Sequence, residues 1–116
     1  MSRILVIEDS PSIALLLRRR IEMEGHEVEV RASGREALDL IMGGPLPDLV
    51  LADVMMPGMD GMETLGQIKQ SHPGLPVILV TGQQMTRAET GQADALVSKP
   101  IDFEALFREI SGLVPG

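Results

Sequence analysis

Asp53 ends the run Asp48-Leu49-Val50-Leu51-Ala52-Asp53, and Pro57-Gly58 follows closely. Four apolar residues closing on one acid, with a turn beyond, describe a buried strand that delivers a carboxylate to a loop. The arrangement recurs along the chain. Ile4-Leu5-Val6-Ile7 runs into Glu8-Asp9, Val77-Ile78-Leu79-Val80 into Thr81-Gly82, and Ala95-Leu96-Val97 into Ser98-Lys99-Pro100. As parallel strands, these runs bring Glu8, Asp9, Asp53, Thr81 and Lys99 to one rim of a sheet, where open α/β sheets bind ligands. Phosphoryl transfer asks for positioning and charge neutralisation, so a carboxylate nucleophile, an ammonium and a hydroxyl make a workable set. Asp53 is the candidate acceptor, Lys99 the neutralising cation and Thr81 the donor to a phosphoryl oxygen.

Three carboxylates in one small site repel each other, and a divalent cation relieves that repulsion. Magnesium suits hard oxygen ligands and tolerates retained waters. Asp9 and Asp53 are the expected direct ligands, with Glu8 acting through water. Bound metal is therefore expected to raise stability.

Strands of this kind need helices between them. Ser10-Pro11 starts a first helix by side-chain capping and a pre-set dihedral, and Gly25 ends it. On its wheel Ile13, Leu16, Leu17 and Ile21 share one arc, while Leu15 falls among Arg18 and Arg19 on the solvent side. Val28-Glu29-Val30-Arg31-Ala32 alternates, as expected of a strand near a sheet edge. Ser33 caps a second helix through Ala37, Leu38 and Ile41 that Gly43-Gly44-Pro45 closes. A third helix carries Met62, Leu65 and Ile68, with Asp60 as its expected cap, and ends at His72-Pro73-Gly74. Asp102 caps a last helix through Phe103, Leu106, Phe107, Ile110 and Leu113. Between Gln83 and Asp94 at most a short helix fits. Strand and helix alternate five times, which predicts one five-stranded parallel α/β domain with helices on both faces. Asp48 lies at the far end of its strand from Asp53.

The bulk properties narrow the function. A chain of 116 residues with 44% hydrophobic and 23% charged residues fits one globular domain. A net charge of −7 disfavours direct nucleic-acid binding, and Phe103 and Phe107, its only aromatics, make no base-stacking platform. The absence of cysteine excludes thiolate and disulfide chemistry. No apolar run approaches the ~20 residues of a membrane span, and Glu8-Asp9 breaks any leader pattern at the N-terminus.

Glu8-Asp9, the stretch Asp53 to Gly61, Thr81 with a small residue after it, and Lys99-Pro100 together resemble the receiver domain of two-component response regulators, over essentially the whole chain. The resemblance implies a flavodoxin-like, chemotaxis-receiver-like doubly wound sheet of order 2-1-3-4-5, with residues 1–116 as one receiver domain. It implies a magnesium- or manganese-dependent aspartyl phosphate on Asp53, with the backbone carbonyl of Met55 as a further metal ligand and a cis bond before Pro100. The donor would be the phosphohistidine of a histidine kinase or histidine phosphotransfer protein, docking near Leu15 and the first helix. Output would be phosphorylation-dependent binding of a protein target, in the bacterial cytoplasm. A start at Met1 and an end just after the last helix suggest a stand-alone receiver.

Two departures touch the output face. Leu96 stands three residues before the lysine, where the family carries an aromatic, and the segment from Thr81 to Lys99 is about one turn short, which shrinks or removes the fourth helix. Met55 and Gln83 flank the phosphoryl position, and an apolar Met55 cannot orient water, so a long-lived phospho-form is expected. Each residue also has a plainer reading: Asp53 as a solvated strand cap, Thr81 as a strand former, Lys99 as a surface lysine, Arg18-Arg19-Arg20 as a solvated helix face. Phe103, Phe107 and the methionines at 55, 56, 59 and 62 fit ordinary packing, and His26 and His72 carry no assigned role. The alternatives are a degenerate receiver serving as a phosphorylation-independent scaffold, and a small aspartyl-phosphate phosphatase. The phosphatase pattern places its nucleophile after the first strand with a second acid two residues on, whereas Met55 stands at that second position after Asp53.

Overall fold

The computed structural model describes residues 2–53, 61–82 and 93–114. The apolar runs form five parallel strands, β1 (Arg3–Ile7), β2 (Glu27–Arg31), β3 (Leu49–Asp53), β4 (Val77–Thr81) and β5 (Ala95–Ser98), in the order β2-β1-β3-β4-β5. β3 and β4 are buried throughout because both of their faces are covered, whereas β2 at one edge buries only Val28 fully.

The helices are α1 (Pro11–Glu22), α2 (Gly34–Gly43), α3 (Gly61–Ser71) and α4 (Phe103–Leu113). The starts of α1, α2 and α4 follow the predicted caps. Ser33 Oγ accepts from Glu36 N at 3.2 Å, and Asp102 Oδ1 accepts from Glu104 N at 3.0 Å and Ala105 N at 3.3 Å. Gly25, at φ 94°, turns the chain out of α1 in the left-handed region that glycine enters without penalty. Ala37 and Ile41 of α2 and Leu65 and Ile68 of α3 pack with Leu5, Val50 and Leu79 on one face of the sheet. Leu17 and Ile21 of α1 and Leu106 and Ile110 of α4 pack with Ile4, Val6, Leu51 and Ile78 on the other. Each such Leu, Ile or Val side chain contributes roughly 1.5–3 kcal/mol on burial. Among the described residues no helix is long and apolar enough to cross a membrane.

One reading of α1 needs correction. Ile13 and Leu16 are 38% and 50% exposed, close to the 49% of Leu15, and the buried face is Ala14, Leu17 and Ile21. Small Ala14 lets the helix lie close to the sheet, which turns Ile13 and Leu16 to its flank. The expected short fourth-helix segment, the cap at Asp60, and Met55, Met56, Met59 and Gln83 lie outside the described residues, as does the side-chain packing of Met62.

Candidate functional site at the carboxyl rim of the sheet

Each predicted site residue among the described ones leaves the sheet at its carboxyl rim. Asp53 is the last residue of β3, Thr81 the last of β4, and Glu8-Asp9 follow β1 at once. β1 and β3 are adjacent at the point where the strand order reverses, so Asp9 and Asp53 border the same crevice. The register pairs Asp53 with Val80 and Thr81 with Ser98, and Lys99 N donates to Thr81 O at 2.8 Å. Thr81 and Lys99 are thereby held beside Asp53 by backbone pairing. The Lys99–Pro100 bond is cis, as expected.

Side chains close the arrangement. Lys99 Nζ donates to Asp53 Oδ2 at 2.8 Å, with Asp53 nearly buried and Lys99 about a third exposed. One carboxylate oxygen from each of Glu8, Asp9 and Asp53 lies within 4.8 Å of the others. Glu8 and Asp53 are buried, Asp9 is exposed, and Thr81 is fully buried. Asp48 is at the opposite rim, accepting from Arg3 N at 2.7 Å, and takes no part.

Electrostatics bear the mark of the crowding. Burial pushes the Glu8 carboxyl up to about 7; the Ser10 N–H, which donates to Glu8 Oε2 at 3.0 Å, opposes this, and Asp53 adds to it. Lys99 is held above its ordinary value, first by its hydrogen bond to Asp53 and against the cost of its own burial. Lys99 compensates one charge, so two carboxylate charges are left over when all three acids ionise. That surplus, on hard oxygen donors at this spacing, fits one divalent cation of the magnesium or manganese kind. The predicted carbonyl ligand of Met55 lies outside the described residues.

Sequence reasoning missed two features beside the site. Ile13 and Leu16 on α1, with Lys99, Pro100, Ile101 and Phe103, line an open groove of about 320 Å³. Arg20 stacks over Phe103 at 4.3 Å, so one member of the basic triplet covers an aromatic face of α4. Leu96 is half-buried and packs toward the face shared with α2 and α3.

The sequence profile described as the response regulator receiver domain matches residues 4–111. The transcriptional regulatory protein TcrA of Mycobacterium tuberculosis is 36% identical over 96% of this chain and 45% of its own length. The response regulator MprA of Mycolicibacterium vanbaalenii is 35% identical over 97% of this chain and 50% of its own. The chain thus spans about half the length of these curated relatives. The response regulator TrrA of Thermotoga maritima, solved with magnesium and beryllium fluoride, superposes with a TM-score of 0.91 at 34% identity over 98% of this chain and 100% of that one. TrrA in complex with the histidine kinase ThkA matches with a TM-score of 0.90 over 99% of this chain and 100% of that one. With its sheet order, its rim of acids and these matches together, the chain belongs to the receiver domain family of two-component response regulators.

Proposed function

We propose that residues 1–116 act as one receiver domain whose Asp53 accepts a phosphoryl group from a partner phosphohistidine, and that the phosphorylated form acts by binding a protein target. The observation that carries this reading is Lys99 Nζ on Asp53 Oδ2 at 2.8 Å, inside a cluster whose carboxylate oxygens lie within 4.8 Å. In the transfer, an Asp53 oxygen forms the bond to phosphorus as the phosphorus–nitrogen bond of the phosphohistidine breaks, and the imidazole leaves with that electron pair. Lys99 neutralises charge gathering on the phosphoryl oxygens and Thr81 Oγ1 donates to one of them. Asp9 and Asp53, with Glu8 through water, would hold magnesium, and the ion would supply charge neutralisation at the phosphoryl oxygens. The chemistry falls on the protein's own carboxylate, so output is an interaction rather than turnover of a substrate.

A histidine kinase or histidine phosphotransfer protein is the donor, and a cytoplasmic location is part of the same reading. The groove beside Lys99 supports docking of that partner on the first helix near Leu15, with Ile13 and Leu16 as anchors lining the groove. Beryllium fluoride with magnesium tests the reading directly. The pair raises Tm more than either reagent alone, because the mimic needs both the carboxylate and the metal. No joint effect overturns it and favours the scaffold.

A further inference from the structure

We infer that Lys69, on the far side of the sheet, is a positioning residue for the Asp53 chemistry: through its ion pair with Asp94 it fixes the register in which β4 and β5 carry Thr81 and Lys99 to the rim. Lys69 is 9% exposed, unusual for a lysine in the last turn of a helix. Its three ammonium protons have three acceptors, Leu75 O at 2.7 Å, Pro73 O at 3.4 Å and Asp94 Oδ2 at 2.8 Å. Asp94 in turn grips Val77, accepting from its N–H on Oδ2 at 2.8 Å and donating its own N–H to Val77 O at 2.9 Å. One ion pair, its lysine buried and its aspartate about a third exposed, therefore ties the end of α3, the turn into β4, the first residue of β4 and the residue before β5.

β5 needs such a clamp. It is an edge strand of four residues, paired to β4 alone, with only Ala95 and Val97 buried, so its hydrophobic pattern specifies register weakly. A slip of one residue would turn Ser98 and Lys99 to opposite faces and draw the ammonium away from Asp53. From the clamp the pairing runs Ile78 to Ala95 through Thr81 to Ser98, and the next residue is Lys99. Lys69 and the site stand at opposite ends of these strands, and the influence is carried by strand register.

The inference rests on the proposed function, and the test separates the two. With acetyl phosphate and magnesium, Lys69→Met and Asp94→Asn each slow phosphorylation about tenfold at a temperature where both are folded, since small misplacements at a reacting centre are costly. The double variant is no slower than the worse single one, and it keeps the test open where a single variant fails to fold. Hydrogen exchange supplies the readout that simple destabilisation would not move: the Lys99 amide loses protection while the Val6 amide in β1 keeps it. Ile41→Val, a core change in α2, lowers Tm without slowing the reaction. Wild-type rates in folded Lys69→Met and in the double variant overturn the inference. A wild-type protein that takes no phosphoryl group overturns the functional reading, and this one with it.

Discussion

Lys99 Nζ rests on Asp53 Oδ2 at 2.8 Å across 46 positions of sequence, joining the end of β5 to the end of β3 over the intervening β4. The contact neutralises a nearly buried carboxylate. Lys99→Met is expected to slow phosphorylation by about 10²-fold, the cost of removing one preorganised charge from a developing oxyanion. The metal-free fold loses about 1–2 kcal/mol in denaturant unfolding, discounted for the exposure of the lysine. A rate within twofold of wild type would remove Lys99 from the chemistry.

The Glu8 carboxyl predicts how stability varies with pH. Its folded value of about 7 lies above the ordinary 4.5, so the native state holds the proton more tightly. The stabilisation is complete below about pH 4.5 and is lost as pH rises through about 7, a change of the order of 3 kcal/mol in metal-free protein. Magnesium competes with that proton, so its apparent affinity rises with pH over the same window. Denaturant unfolding and magnesium titration between about pH 5 and pH 8 check both trends against Glu8→Gln, which flattens them. Equal slopes in the two proteins would contradict the assignment.

With the partner docked at the groove beside Lys99, as proposed, α1 is expected to determine partner transfer. Leu16→Glu is expected to lower the ratio of the rate from a phosphorylated histidine phosphotransfer domain to the rate from acetyl phosphate by about 30-fold, as for an anchor residue of an interface. Leu15→Glu changes that ratio less. The reverse ranking would return the docking surface to Leu15.

An apolar Met55 predicts slow loss of the phosphoryl group, because it offers water no hydrogen bond. Met55→Asn shortens the lifetime of the phospho-form, followed by decay after the donor is removed. A lifetime that stays constant or lengthens contradicts the prediction.

Much of the fold was legible because buried parallel strands write themselves as unbroken apolar runs, and each run here ends on the residue it delivers. Glu8, Asp53 and Thr81 could be placed by that rule alone, and Asp48 dismissed by it. α1 was read less well. Counting its large side chains gave a face through Ile13 and Leu16, whereas Ala14 sets the face that packs. The Lys69–Asp94 pair left no local trace. Its partners lie 25 positions apart, and nothing in the sequence around Lys69 marks it as buried.

The most direct measurement is the intact mass of wild type, Asp53→Asn and Asp48→Asn after incubation with acetyl phosphate and magnesium. The predicted result is one added phosphoryl group in wild type and in Asp48→Asn, removed by mild base as expected of an acyl phosphate, and none in Asp53→Asn. A phosphoryl group retained in Asp53→Asn, or none in wild type, would contradict the assignment of Asp53 as the acceptor.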